Sequence, residues 1–250
     1  MKGYGASAIA FSGGVDSSFL LYAAASCLGE DKVLAITASS VFIPTRELRE
    51  AGELSGKLGI RQLRLALDPL SNKEVRNNSR ERCYYCKRLI FSEMLKAAKD
   101  EGFEILCDGS NKDDEKDFRP GMRALSELGI KSPLREAGLT KEEIRELSRE
   151  FGLSTAEKPS LACLASRLPY GDEITEEKLS KVEAAEEFLA GLGFKQYRVR
   201  LHGELARIEL LPEEMDKAFA RRAIICKEFK ALGISFVSLD LEGYVSGKMN

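Results

Sequence analysis

Apolar residues in the first half of the chain alternate between short continuous runs and runs with helical spacing. The short aliphatic runs, typical of strands buried on both faces, are residues 7–12, 32–38, 61–67 and 103–107. The segments with the period of amphipathic helices are residues 16–27, 45–58 and 84–99. Strands separated by helices predict an α/β fold, with a parallel sheet covered on both faces.

A polar stretch follows the fourth strand-like run. Residues 108–121 are rich in Gly, Asn and Asp and follow a predicted strand. The carboxyl ends of strands are where α/β folds place their ligands, so this stretch is a candidate binding loop. Thr140 stands three residues before Glu143, the spacing of a capping box, and predicts a helix that runs to Phe151.

The order of the elements changes after residue 172. Residues 156–172 contain two prolines, a cysteine and an arginine without a clear period, which indicates a functional loop and a domain boundary. Beyond it the pattern predicts, in order, a helix over 175–192, strands over 196–201 and 205–210, a helix over 212–232 and a strand over 234–239. We therefore expect a first domain over 1–170 and a small α+β domain with its own hairpin over 171–250.

Composition narrows the class of protein. The chain has 250 residues, of which 44% are hydrophobic and 31% charged, so it can bury a core and is neither disordered nor fibrous. No apolar stretch reaches a membrane-spanning length and no signal-peptide pattern is present, which predicts a cytoplasmic protein. The 38 basic and 40 acidic side chains give a net charge of -2, which favours a small-molecule substrate over a nucleic-acid or membrane partner.

The segment Ser12-Gly13-Gly14-Val15-Asp16-Ser17-Ser18 joins the first predicted strand to the first helix. Its glycines allow a sharp turn, and the N–H groups at the helix start, with the serine hydroxyls, can hold a pyrophosphate. It is neither a Walker A loop nor a dinucleotide fingerprint. It resembles the PP-loop of ATP pyrophosphatases, which cleave ATP between the α and β phosphates to form an adenylate, with Mg²⁺ on the pyrophosphate. The alternative is a plain turn in which Asp16 interacts with the helix dipole.

Six cysteines are too few for a disulfide scaffold in a chain of this length. Cys83 and Cys86 are one turn apart at the start of a predicted helix, where the helix dipole favours thiolates. Cys163 lies far downstream, in the loop over 156–172. Three thiolates can hold a 4Fe-4S cluster with one open iron, whereas zinc would need a fourth ligand such as His202. A redox pair and a separate nucleophile are the third reading.

Several motifs together resemble the LarE family, the ATP-dependent sulfur transferases that help to build the nickel-pincer nucleotide of lactate racemase. In chain order they are the PP-loop over 12–18, residues 83–86, residues 108–114, Arg119-Pro120-Gly121, residues 158–167 and residues 197–207. The resemblance covers nearly the whole chain and implies a PP-loop sheet with helices on both faces. It implies an enzyme that adenylates the carboxylates of pyridinium-3,5-biscarboxylic acid mononucleotide and replaces AMP with sulfur.

The resemblance also implies cofactors and partners: ATP, Mg²⁺, a sulfide donor and a homo-oligomer such as a hexamer. In family members with one reactive cysteine, the residue matching Cys163 donates its sulfur and becomes dehydroalanine. Members with three cysteines bind a 4Fe-4S cluster that carries an extra sulfide. Because all three positions are cysteine here, we expect Cys83, Cys86 and Cys163 to be cluster ligands, with sulfur donation from Cys163 as the alternative. Cys163 and Asp16 are the expected catalytic residues.

Basic residues on the predicted hairpin are candidates for the substrate phosphate. Period-two alternation places Arg198, Arg200 and His202 on one strand face, and Arg207 on the next strand can join them. Guanidinium groups on a rigid hairpin suit bidentate phosphate contacts. The resemblance favours this role over a solvated strand face.

Other polar residues are candidates for the nucleotide site. Asp114, like Asp16, is a carboxylate expected near the triphosphate or its Mg²⁺, and Lys87 and Arg119 are expected phosphate contacts. Ser39, at the carboxyl end of the second strand, is a candidate for the adenine or ribose pocket. The expected ATP-binding set is Ser12, Gly13, Gly14, Asp16, Ser17, Ser18, Ser39, Lys87 and Asp114. Residues 141–143 and 183–187 have the pattern of helix-surface charges.

Three other functions use part of the same pattern. A tRNA thiolase also combines a PP-loop with separated cysteines, but the balanced charge does not predict a basic RNA surface. A synthetase of the NAD synthetase group would explain the PP-loop and leave the three cysteines without a role. A nucleotide-binding sensor would not release pyrophosphate and AMP.

Overall fold

The computed structural model describes residues 1–116, 120–159 and 162–245. The chain divides into two compact units. The first combines Met1–Asn72 with Glu81–Leu161, and the second combines Lys73–Arg80 with Ala162–Asn250. The sequence predicted a division at residue 170, whereas these units divide at 161 and assign a short upstream segment to the second unit.

The first unit contains a parallel sheet with the strand order β3-β2-β1-β4. Its strands are β1 (Ser7–Ala10), β2 (Val33–Ser39), β3 (Gln62–Ala66) and β4 (Leu106–Cys107). Its helices are α1 (Val15–Leu28), α2 (Thr45–Lys57), α4 (Arg82–Asp100), α5 (Pro120–Glu127), α6 (Pro133–Glu136) and α7 (Lys141–Glu150). The α/β class predicted from the sequence is confirmed.

The two central strands are buried on both faces. Ile9 of β1 and Ala35 of β2 belong to one apolar cluster, with residues of α1 and α7. Ala8 and Leu34, their immediate neighbours in the chain, belong to a second cluster, with residues of α4. Because successive strand residues point to opposite faces, this division accounts for the continuous apolar runs in the sequence.

Helix α7 follows the sequence prediction closely. Thr140 and Glu143 form the predicted capping box, in which the Thr140 side chain accepts the Glu143 N–H and the Glu143 carboxylate accepts the Thr140 N–H. The helix ends before Phe151, as predicted. Two other predictions need correction, because β4 has two residues instead of five, and α5 begins inside the predicted loop over 108–121.

The second unit contains a three-stranded sheet with the order β5-β6-β7. Its strands are β5 (Tyr197–His202), β6 (Leu205–Leu210) and β7 (Phe236–Leu239), and its helices are α3 (Lys73–Arg76), α8 (Glu176–Gly191), α9 (Met215–Ala220) and α10 (Arg222–Ala231). The predicted hairpin is confirmed by the antiparallel β5–β6 pair, and β7 is parallel to β6. His202 ends strand β5 and is not part of the turn.

The upstream segment of the second unit is attached by backbone and amide hydrogen bonds. The Asn78 side chain donates to the Pro169 carbonyl oxygen at 2.7 Å, and the Gly171 N–H donates to the Asn78 carbonyl oxygen at 3.0 Å. Asn78 is buried and has a positive φ of 51°, a conformation that Asn tolerates better than most residues. Because these contacts join residues that are distant in sequence, local sequence patterns could not assign residues 73–80 to the second unit.

None of the described helices is long and apolar enough to span a membrane.

Candidate functional site

The glycine-rich loop lies between β1 and α1, as predicted. Gly13 has a φ of 71°, and a Cβ atom there would lie 3.0 Å from the Ala51 Cβ of α2. Glycine is therefore needed at this position both for the backbone conformation and for the contact with α2. Gly14 is the N-cap of α1, so the first N–H groups of the helix face the loop.

The serines of the loop hold its shape. The Ser12 and Ser17 hydroxyl oxygens are 3.1 Å apart, and the Ser17 hydroxyl donates to the Gly14 carbonyl at 3.2 Å. Ser18 is fully buried, and its hydroxyl has no hydrogen-bond partner among the residues described. A buried hydroxyl without a partner next to a helix start suits a bound phosphate oxygen.

Asp16, in the first turn of α1, is held by two side chains from elsewhere in the first unit. Asn111 donates its side-chain N–H to Asp16 Oδ1 at 3.2 Å, and the Lys141 ammonium group forms an ion pair with Asp16 Oδ2. The sequence pattern indicated only a surface charge at Lys141, and that interpretation is wrong. Its position at the first residue of α7 could be predicted, but its partner lies 125 residues away in sequence.

The loop after β4 positions Asn111. The Asn111 backbone N–H donates to Asp114 Oδ2, and the Asn111 amide oxygen accepts the Asp113 N–H, both at 2.9 Å. Asp113 in turn accepts the Lys141 backbone N–H at 2.9 Å. The predicted site residue Asp114 thus lies in the same loop as the amide that contacts Asp16.

Gly109 brings this loop against the start of α1. A Cβ atom at Gly109 would lie 2.9 Å from the Ser17 backbone nitrogen and 3.1 Å from the Ser17 Cα. The sequence placed Gly109 in a candidate binding loop but could not show this contact.

Lys158 approaches the glycine-rich loop from residues that follow α7. Its ammonium group donates to the Gly13 carbonyl at 3.0 Å and pairs with Glu50 of α2 at 2.9 Å, and its side chain is only 12% exposed. Burial by itself would raise the pKa of Glu50, but hydrogen bonds from Lys158 and Arg46 outweigh burial and lower that pKa below its ordinary value. A cavity of about 410 Å³ beside Gly13 is lined by these residues and by Thr155, whose buried hydroxyl has no hydrogen-bond partner in the described part of the chain.

Two further residues predicted to bind the nucleotide, Ser39 and Lys87, lie in the first unit. Ser39 is half-buried at the carboxyl end of β2, where its carbonyl accepts the Leu67 N–H at 2.9 Å. Lys87 lies on α4, and its aliphatic stem packs against Gly121, where a Cβ atom would lie 2.6 Å from the Lys87 Cδ. Arg119 lies outside the described residues.

The three cysteines of the predicted cluster form no disulfide among the described residues. Cys83 and Cys86 lie one turn apart near the start of α4 in the first unit, and both are half-buried. Cys163 is exposed in the second unit, where it is the N-cap of a short 3₁₀-helix over Leu164–Arg167. Within residues 1–116, 120–159 and 162–245, no group of three His, Cys, Asp or Glu side chains is arranged to hold a metal ion.

The segment that carries Cys163 is held by a buried ion pair. Arg167 binds both carboxylate oxygens of Glu186 on α8, at 2.9 and 3.0 Å, and also donates to the Cys163 carbonyl at 3.0 Å. Glu186 further accepts the Val199 N–H at 3.0 Å. The sequence pattern indicated surface charges on this part of α8, and for Glu186 that interpretation is wrong.

The predicted basic face of the hairpin exists, but it is buried and contains a carboxylate. Arg198 and Arg200 are 4% and 5% exposed. Arg200 binds both oxygens of Glu209 at 3.0 and 3.2 Å, and Arg207 binds Glu209 at 2.9 Å and Asp240 at 3.4 Å. The sequence missed Glu209, although period-two alternation along β6 puts it on the same face as Arg207.

Burial and like charges lower the pKa values of two residues on this face. The pKa of Arg198 is lowered by burial and by the nearby Arg167 charge. The pKa of His202 is also lowered, first by burial and then by Arg207 and Arg200. His202 is therefore neutral at neutral pH, and its Nε2 atom is buried without a hydrogen-bond partner among the described residues.

The first unit has a glycine-rich turn between a buried parallel strand and a helix, with serines and a paired carboxylate at the helix start. This arrangement defines a PP-loop nucleotide-binding protein. The NAD synthase family matches residues 3–96. Pyridinium-3,5-bisthiocarboxylic acid mononucleotide synthase of Lactiplantibacillus plantarum is 38% identical over 97% of this chain and 88% of its own length. The chain therefore belongs to the LarE family, to which that synthase belongs.

Two further relatives match over nearly the whole chain. An uncharacterized protein of Synechocystis sp. is 41% identical over 97% of this chain and 91% of its own length. An uncharacterized protein of Methanocaldococcus jannaschii is 32% identical over 95% of this chain and 90% of its own length. Membership of the PP-loop class implies the use of ATP and Mg²⁺.

Proposed function

We propose that this chain is an ATP-dependent sulfur transferase that forms thiocarboxylates on pyridinium-3,5-biscarboxylic acid mononucleotide. The observation that carries the proposal is the 38% identity, over 97% of the chain, to a protein named as the synthase of the bisthiocarboxylic product. The PP-loop at the start of α1 supports the first half of the reaction, because it offers N–H groups and hydroxyls to a pyrophosphate.

The proposed reaction has two steps. A substrate carboxylate oxygen attacks the α phosphorus of ATP, so that an acyl-adenylate forms and pyrophosphate leaves. A sulfur nucleophile then attacks the acyl carbon, and AMP leaves with the oxygen. Asp16 lies in the loop motif that would hold the pyrophosphate, Lys141 pairs with it, and Lys158 donates to the Gly13 carbonyl. Repetition on the second carboxylate gives the bisthiocarboxylate.

The hairpin of the second unit is the proposed site of the substrate phosphate. Arg198, Arg200 and Arg207 are buried or half-buried on one face. Together with Arg167 they supply four guanidinium groups, against the three carboxylates of Glu186, Glu209 and Asp240. An excess of guanidinium groups, held rigidly by those carboxylates, favours a bound dianion.

The proposed sulfur carrier is a 4Fe-4S cluster held by Cys83, Cys86 and Cys163. The i, i+3 pair of cysteines on α4 is not in a disulfide and can supply two ligands to one cluster. When bound, the cluster would supply a replaceable sulfide on its open iron. A second candidate is direct sulfur donation by Cys163, because its thiol is exposed.

One experiment separates these mechanisms. The full-length protein, isolated without oxygen, is incubated with ATP, sulfide and the biscarboxylic mononucleotide, while pyrophosphate, AMP, thiocarboxylate and intact protein mass are measured. We expect about four irons per chain from a three-thiolate cluster, several product molecules per protein, and an unchanged protein mass. A single turnover in which the sulfur of Cys163 appears in the thiocarboxylate, with a fall in protein mass equal to that of H₂S as the cysteine becomes dehydroalanine, would establish sacrificial donation. Absence of thiocarboxylate would overturn the proposed function.

Cysteine variants provide the matched control. Cys83→Ala should lose iron and sulfur transfer but keep ATP-dependent pyrophosphate release, because the PP-loop is intact. Cys27→Ala removes an exposed thiol that has no proposed role and should retain iron and both activities. A Cys83→Ala protein with full iron content would show that Cys83 is not a ligand.

A further inference from the structure

Lys141 lies at the glycine-rich loop, and its position there indicates a role that the family assignment does not supply. Its ammonium group is paired with Asp16 at the first turn of α1, and both side chains are half-buried, with exposures of 29% and 23%. An ion pair at this depth is screened less by solvent than a surface pair. A lysine at the loop that would hold a pyrophosphate is therefore unlike the exposed charges elsewhere on α7.

The backbone around Lys141 is fixed. Lys141 is the first residue of α7, behind the Thr140–Glu143 capping box. Its own N–H donates to Asp113 Oδ2 at 2.9 Å. The base of the side chain is thus anchored to the loop that also carries Asn111, and only the flexible four-carbon stem is free to reorient.

Both oxygens of Asp16 are already occupied. Asn111 donates to Oδ1 and Lys141 to Oδ2. Asn111 is 4% exposed, and the Asp114 carboxylate and the Asp113 N–H hold it from two sides. Of the two partners of Asp16, Lys141 is consequently the one that can leave.

A cation that binds Asp16 competes with the ammonium group for the carboxylate, because two cations on one carboxylate repel each other. PP-loop proteins bring a triphosphate with Mg²⁺ to this loop, and the triphosphate is then the nearest anion for the displaced lysine. We propose that Lys141 is a positioning residue that exchanges Asp16 for a nucleotide phosphate when ATP and Mg²⁺ bind. This inference rests on the ATP use in the proposed function and is independent of the sulfur chemistry.

The test measures binding of an ATP analogue with a methylene group between the α and β phosphorus atoms, which the enzyme cannot cleave. Kd is determined by calorimetry on the full-length protein, with Mg²⁺ and with EDTA. In Lys141→Met, we expect Kd with Mg²⁺ to rise about tenfold, from the loss of one charge-assisted hydrogen bond to phosphate. In EDTA the rise should be larger, about a hundredfold, because no cation then offsets Asp16.

The controls separate exchange from a purely structural role. Lys141→Arg should stay close to wild type in both buffers. Lys99→Met removes an exposed lysine near the end of α4 in the same unit and should leave both Kd values within about twofold, as expected for a screened surface charge. If Lys141→Met raises Kd by the same factor with and without Mg²⁺, Lys141 only supports the loop and the proposal is overturned.

Lys141→Gln replaces the methionine variant if the latter does not fold by circular dichroism, since glutamine can still donate to Asp16. The same larger loss in EDTA is expected for it, and equal losses again contradict the proposal. Binding without any sulfur transfer by the wild type would leave this inference intact while refuting the proposed function.

Discussion

Glu209 allows an arginine-rich hairpin to be part of a folded core. It is fully buried and accepts hydrogen bonds from Arg200 and Arg207. Arg200 also donates to the Ser166 carbonyl at 2.7 Å, so its guanidinium group is hydrogen-bonded on more than one side. Buried charges are tolerated only when they are paired and hydrogen-bonded in this way.

Removing that carboxylate should therefore destabilise the protein strongly. We expect Glu209→Ala to lower the free energy of unfolding by about 3 to 5 kcal/mol, because Arg200 would remain buried without its counter-charge. Urea denaturation of the full-length chain measures the change. Glu213→Ala, at an exposed glutamate just beyond β6, is the matched control and should change stability by less than about 0.5 kcal/mol. A loss below about 1 kcal/mol in Glu209→Ala would contradict the structural role given to the pair.

The residues of the PP-loop could be predicted from the sequence because they interact with near neighbours in the chain. Ser12 and Ser17 are five residues apart and interact across one turn. Lys141 and Glu186 were misinterpreted as surface charges because their partners, Asp16 and Arg167, depend on tertiary packing. A charge pattern on a helix predicts exposure only when nothing packs over it.

Helix boundaries, like the partners of charged residues, depend on tertiary contacts that a local sequence pattern does not contain. The sequence predicted one helix over 212–232, but the chain forms a 3₁₀ turn followed by α9 and α10. The break is at Arg221, which ends α9, precedes α10 and donates from its side chain to the Leu192 carbonyl at 3.0 Å. That carbonyl belongs to the C-terminal end of α8. A contact between distant helices thus lies at the break in a segment most of whose residues favour helix.

The packing of the loop after β4 against α1 can be tested by replacing Gly109 with alanine, which adds one methyl group. In Gly109→Ala, the added Cβ would lie 2.9 Å from a backbone atom of Ser17 that cannot rotate away. The start of α1 must then shift, and small displacements of a binding loop are costly. We expect nucleotide affinity to fall about tenfold or more, measured with the same uncleavable ATP analogue.

Gly56→Ala is the matched change within a helix. Gly56 lies in α2, and a Cβ atom there would meet no other atom within 4 Å. Nucleotide binding should be unchanged, and stability should increase by about 0.5 to 1 kcal/mol, because alanine is a better helix former. Unaltered nucleotide binding in Gly109→Ala would show that the loop tolerates the shift and that its contact with α1 does not position the site.

The balanced charge of the whole molecule favours a mononucleotide over tRNA as the substrate. Basic and acidic side chains nearly balance, at 38 and 40, and several buried arginines are paired with carboxylates within their own unit. Those guanidinium groups cannot contribute to a surface that follows a phosphate backbone. Affinity for nucleic acid depends on such surface cations, since each neutralised phosphate releases counterions.

We therefore expect no specific binding of tRNA. Filter binding with labelled tRNA should give a Kd no tighter than the nonspecific range of about 10⁻⁴ to 10⁻⁶ M at physiological salt. The mononucleotide substrate serves as the positive control for the folded protein. A nanomolar Kd for tRNA that weakens steeply between about 50 and 200 mM salt would indicate many phosphate contacts. That result would favour a tRNA thiolase, because the same PP-loop and cysteines would then act on a base of the bound RNA.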